Sequence, residues 1–91
     1  MKLEVYISYC VYYSMQDFHD RDSMFETDDR NLAKHYIKTR GGNFLKACAS
    51  CCLDNNQDGV WEFAYGDTAR EARKELRALL ARVYGKGFYT I

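Results

Sequence analysis

The chain has 91 residues, of which 47% are hydrophobic and 15% aromatic, with thirteen basic side chains balanced by thirteen acidic ones. That length builds one compact core, and that much apolar surface excludes an intrinsically disordered chain. The cancelled charge excludes the Lys/Arg excess of a dedicated nucleic-acid binder and equally the strong acidity of a protein that mimics DNA.

The first pattern in the chain is a period of two. Leu3, Val5, Ile7, Tyr9, Val11 and Tyr13 alternate with Glu4, Tyr6, Ser8, Cys10 and Tyr12, which predicts a strand with its odd positions buried. The run is too short and too polar to span a bilayer. The start has no apolar region followed by a small-residue cleavage site, so a cytoplasmic protein (host cytoplasm if viral) with four reduced thiols is expected. Residues 14–26 break the pattern, although Met24 and Phe25 can extend a strand and turn the first run into a hairpin.

Two segments look like copies of one unit. Phe25-Glu26-Thr27-Asp28-Asp29 leads into a helix with Ala33, and Tyr65-Gly66-Asp67-Thr68 leads into another with Ala72. Each has an aromatic strand end, a Thr/Asp cap and an alanine where the helix presses on a sheet. Thr68 and Glu71 form a capping box. Gly41-Gly42 and Gly85-Lys86-Gly87 end the two helices.

Between the helices, Leu45, Ala47, Ala49, Cys51 and Leu53 alternate with Lys46, Cys48, Ser50 and Cys52, which predicts a strand. Phe44, Cys48 and Cys51 also fit a helical stripe. Trp61, Phe63 and Tyr65 alternate with Val60, Glu62 and Ala64. The turn residues at 54–59 make these two runs a hairpin. In the second helix Ala69, Ala72, Leu76, Leu79, Leu80 and Val83 form the buried stripe, and 88–91 is a short last strand. The expectation is one α+β domain over 1–91, ferredoxin-like βαββαβ, with a four-stranded antiparallel sheet and two helices on one face.

Chemistry-bearing residues are sparse. Cys48, Cys51 and Cys52 lie close in sequence, but a structural zinc site needs a second ligand pair and none exists. In a strand Cys48 and Cys51 also point to opposite faces, so no metal or cofactor is expected. Asp54-Asn55-Asn56-Gln57-Asp58-Gly59 matches the first half of an EF-hand calcium loop, but its twelfth position is Tyr65 rather than a bidentate Glu, and a tight turn explains the same residues. Val5-Tyr6-Ile7-Ser8 is similar to the first strand motif of RNA-recognition domains. Its counterpart, Asp58-Gly59-Val60-Trp61-Glu62-Phe63, lacks the basic charge and aromatic register of that family. His19 and His35 have no nucleophile at motif spacing, so no catalytic residues are expected and the chain reads as a non-enzyme.

Eight tyrosines exceed what such a core needs, and tyrosine is common at protein interfaces. Arg70, Arg73, Lys74 and Arg77 share one helix face. Asp17, Asp20, Asp22, Asp28 and Asp29 form an acidic counterpart. These two sets, with Tyr6, Tyr12 and Tyr13, are the candidate partner-binding residues, because such a bipolar surface steers one protein to another.

In size, lone α+β domain, abundant tyrosine and patterned charge, the chain resembles small phage or mobile-element inhibitors of host defence, including anti-CRISPR proteins. The resemblance implies a stoichiometric inhibitor that binds another protein or a nucleoprotein complex. The alternative is a ferredoxin-like RNA- or DNA-binding module, and steep salt dependence of oligonucleotide binding would distinguish it.

Overall fold

The computed structural model describes residues 1–53 and 59–91. Its elements are β1 (Tyr6–Tyr12), α1 (Met15–His19), β2 (Phe25–Thr27), α2 (Arg30–Arg40), β3 (Phe44–Cys52), β4 (Trp61–Gly66) and α3 (Ala69–Tyr84). The strands form one sheet in the order β2-β1-β3-β4, with every neighbouring pair antiparallel. The α+β class, the four-stranded antiparallel sheet and the β3–β4 pairing follow the sequence pattern. Residues 44–52 are strand rather than helix. The calcium-loop pattern spans 54–59, of which 54–58 lie outside the described residues.

Three features differ from a ferredoxin-like arrangement. The strands flanking α2 would there be the first run and β3, parallel and separated by a third strand, whereas here β1 and β3 are adjacent and antiparallel. The leading strand of the split unit is instead β2, which runs parallel to β3 with β1 inserted between them. Residues 88–91 contribute only an isolated parallel bridge, Lys2↔Thr90, and a third helix, α1, joins β1 to β2. Leu3 N–H donates to the Thr90 carbonyl and Thr90 N–H to the Met1 carbonyl, so the two ends of the chain hold each other.

Helices α2 and α3 pack on one face. Phe25, paired with Val11 on β1, stacks on Tyr36 of α2 with ring centroids 4.4 Å apart. Beneath β3 and β4, Ala72, Leu76 and Leu80 of α3 meet Ala47, Ala49, Cys51 and Ala64 in the main core. Both repeated alanines, Ala33 and Ala72, are fully buried. Val83, at the end of the α3 stripe, stays exposed.

The caps set the helix starts. Glu71 N–H donates to Thr68 Oγ1 at 3.1 Å, and the Glu71 carboxylate accepts from Asp67 N–H at 3.0 Å. Asp29 caps α2, its carboxylate accepting from Asn31 N–H at 2.9 Å. Gly66 lets α3 approach: a Cβ there would lie 2.7 Å from the Ala72 nitrogen, closer than two non-bonded atoms can sit. This tight contact explains why the covered side of β4 carries alanine and glycine while its large aromatics point the other way.

Candidate functional site

The other face of the sheet is where unusual surface collects. The pairing register lays out its rows as Tyr6–Ser50–Phe63, Ser8–Cys48–Tyr65 and Cys52–Trp61. One end is covered by the five-residue α1, started by Ser14, whose hydroxyl accepts from Asp17 N–H at 3.1 Å. Phe18 of α1 lies edge-on to Tyr12 at 5.2 Å and to Tyr65 at 5.7 Å between ring centroids. At this end β1 is therefore buried on both faces, and Cys10, Val11 and Tyr12 are all in the interior.

Nothing among the described residues covers the other end. Tyr6 is 53% exposed, Trp61 41% and Phe63 51%. Tyr6 and Trp61 approach to 5.9 Å between centroids. Three large rings thus stand on a floor of Ser50 and the buried Cys48 and Cys52. Between this platform and α1, the Arg21 guanidinium lies 4.0 Å from the Tyr65 ring centroid and 4.8 Å from that of Phe18. Arg21 has a positive φ of 58°, a conformation a non-glycine residue rarely adopts, and it also donates to the Phe18 carbonyl at 3.0 Å.

The electrostatics of this face are largely satisfied internally. Lys46 pairs with Asp67 and lies 5.3 Å from the Phe18 centroid. The Tyr6 hydroxyl donates to the Glu4 carboxylate at 2.9 Å, and that bond, with the carboxylate charge, raises the Tyr6 pKa. Burial, with the charge of Glu26, pushes the Cys10 thiol up to about 11. Burial also raises Cys48, and it pushes Tyr65 up to about 12, with Cys48 adding to the effect. At neutral pH these thiols are protonated, which makes them weak nucleophiles and weak metal ligands.

The candidate residues distribute as follows. Tyr6 and Tyr13 are exposed, whereas Tyr12 is buried under Phe18 and is a core residue rather than a contact. Arg70, Lys74 and Arg77 are exposed on α3 and Arg73 is half-buried. Asp17, Asp20 and Asp22 belong to α1 and the turn after it. Asp28 is exposed, and Asp29 is committed to the α2 cap. The α1 acidic group and the α3 basic group therefore lie on opposite sides of the sheet. Cys48 and Cys51 point to opposite faces, and the described residues contain no cluster of three or more metal-binding side chains. His19 and His35 sit apart, on α1 and α2.

Trp61 and Phe63 complete the exposed platform, and neither was singled out as a contact residue from the sequence. The available signal was Ala64 and Gly66 in phase with Glu62. Small residues at alternate positions mark the side against a close helix, which forces the aromatics outward. No helix among the described residues is long and apolar enough to cross a membrane. No family model, curated protein or solved structure matches this chain.

Proposed function

We propose that the chain is a non-enzymatic binding protein whose open sheet face, built on Tyr6, Trp61 and Phe63, engages another protein. The observation that carries this reading is the clustering of three large, exposed aromatic rings at the uncovered end of the sheet. Tyr and Trp dominate the energetics of protein interfaces because they bury much area with few rotatable bonds. The acidic group of α1 and the turn after it lies on the same side of the sheet and serves as a steering surface beside the platform, whereas Arg70, Arg73, Lys74 and Arg77 on α3 form a separate charged surface on the far side. Within this proposal the specific role is that of a small inhibitor of the anti-CRISPR kind, acting in a cytoplasm on a host protein or nucleoprotein complex.

Exposed aromatics on an open sheet also suit stacking on single-stranded nucleic acid. The charge favours the protein reading. Lys46 is paired with Asp67, Arg21 is stacked between rings, and Glu4 sits beside Tyr6, so the platform offers little to neutralise phosphates. The test is capture of a partner followed by titration with Trp61→Ala and Phe63→Ala. Loss of partner binding by folded variants supports the proposal. Retention of an oligonucleotide with a steep salt slope, and of no protein, replaces it with the nucleic-acid reading.

A further inference from the structure

The sheet has two edges of different character. The β2 edge is only three residues long, and a very short edge strand is one way of blunting an edge. The β4 edge is six residues long, Trp61–Gly66, and among the described residues no strand pairs with its outer side. It has no proline, no lysine and no bulge, because the register with β3 runs unbroken from Cys52↔Trp61 to Ala47↔Gly66. Its one charge, Glu62, accepts a hydrogen bond from the Tyr84 hydroxyl at 2.8 Å, so it points to the helix side rather than guarding the edge.

One hydrogen bond fixes the phase of the strand. Leu53 N–H donates to the Val60 carbonyl at 2.9 Å, which makes that pair a hydrogen-bonded one. Such pairs alternate along an antiparallel ladder. Val60, Glu62, Ala64 and Gly66 therefore turn their backbone groups toward β3. Trp61, Phe63 and Tyr65 turn theirs outward, and their side chains stand on the open face.

We infer that this edge pairs with the same edge of a second copy of the chain, joining the two sheets into one across a two-fold axis. A two-fold through Phe63 sets Phe63 opposite its own copy and Trp61 opposite Tyr65. Outward-facing residues then meet only outward-facing residues. Three such pairs exchange about six backbone hydrogen bonds. On the open face all the paired side chains are aromatic, a favoured cross-strand combination. The register puts Glu62 opposite Ala64, so no like charges meet. The zero net charge of the chain removes long-range repulsion between copies. The edge is thus complementary to itself, as a two-fold interface requires. The pairing uses the outward backbone groups of the same Trp61 and Phe63 that form the binding platform, and the mass of the free chain tests it separately from partner binding.

Sedimentation velocity on the full chain, from low micromolar to several hundred micromolar, tests it. The mass is expected to rise from 10.7 kDa to twice that value. Phe63→Pro removes an outward N–H while sparing the ladder to β3, and Phe63→Lys sets like charges opposite each other. Each folded variant is expected to dimerise about tenfold more weakly or worse. A wild-type chain that stays monomeric throughout overturns the inference, including the case in which the edge accepts only a strand from a different protein. Folded variants that dimerise as tightly as wild type overturn it too. If neither variant folds, hydrogen exchange of the wild type decides. Exchange at Trp61, Phe63 and Tyr65 that slows with concentration supports the pairing, and exchange independent of concentration overturns it.

Discussion

Tyr6 and Trp61 stand on different strands, with β3 between them, yet their rings come within 5.9 Å at an interplanar angle of 49°. Both are exposed, Tyr6 at 53% and Trp61 at 41%, and lie on the face away from the core, so their contact does little for the core. Tyr6→Ala is expected to change stability by no more than about 1 kcal/mol. Because Trp61 is the single tryptophan, its fluorescence reports on this site directly. The emission is expected to shift to the red in Tyr6→Ala, with the melting temperature nearly unchanged.

Gly66 makes the opposite prediction. A Cβ there meets backbone as well as side chain, with the Ala72 nitrogen at 2.7 Å, so the start of α3 must move to admit it. Gly66→Ala is expected to cost roughly 1–3 kcal/mol, the range for overpacking a tight contact. Urea denaturation would measure it, and a stability equal to wild type would contradict the close docking of α3.

The two neighbouring aspartates separate capping from surface charge. Asp29→Ala removes the acceptor for the Asn31 amide and is expected to cost about 1 kcal/mol. Asp28→Ala is expected to stay within about 0.5 kcal/mol. Charge reversal of the acidic set is therefore best made without Asp29, since its loss would weaken α2 and imitate a binding defect.

The buried thiols and phenols predict a loss of stability in alkali. Cys10 ordinarily titrates near 9.0 and is raised to about 11 by burial, and Tyr65 is raised from 10.0 to about 12. A raised folded-state value means that the folded protein holds its proton longer than the unfolded chain. The stabilisation is complete below about pH 9 and is lost progressively as pH rises toward 11 and then 12. Thermal melts are expected to be insensitive to these groups from pH 7 to just below 9 and to fall beyond it. Cys10→Ala should make the fall shallower.

Much of this architecture was legible in the chain. Period-two alternation marked β1, β3 and β4, and the paired caps with Ala33 and Ala72 marked the two long helices. Helix α1 was not legible, because five residues show no helical period and its place depends on the tertiary contacts of Phe18 with Tyr12 and Tyr65. That helix also explains why Tyr12 reads as surface by alternation and is in fact buried. Strand order was hidden for a related reason. Phe25–Thr27 and 88–91 are both too short to state their partners, and non-local pairing assigned the sheet edge to the first and only a bridge to the second. In the candidate site, Tyr6 was visible as an excess tyrosine. Trp61 and Phe63 were ambiguous until the contact of Gly66 with Ala72 fixed which side of β4 is covered.

The proposed binding of a protein partner by Tyr6, Trp61 and Phe63 rests on the exposed aromatic platform. Its most direct test is isothermal titration of the captured partner with wild type and with the Trp61→Ala/Phe63→Ala double variant, folding being checked by circular dichroism. The expected result is a loss of affinity of roughly 30-fold or more, the scale of about 2 kcal/mol expected at a hot spot, with the fold intact. An unchanged affinity in the folded double variant would contradict it.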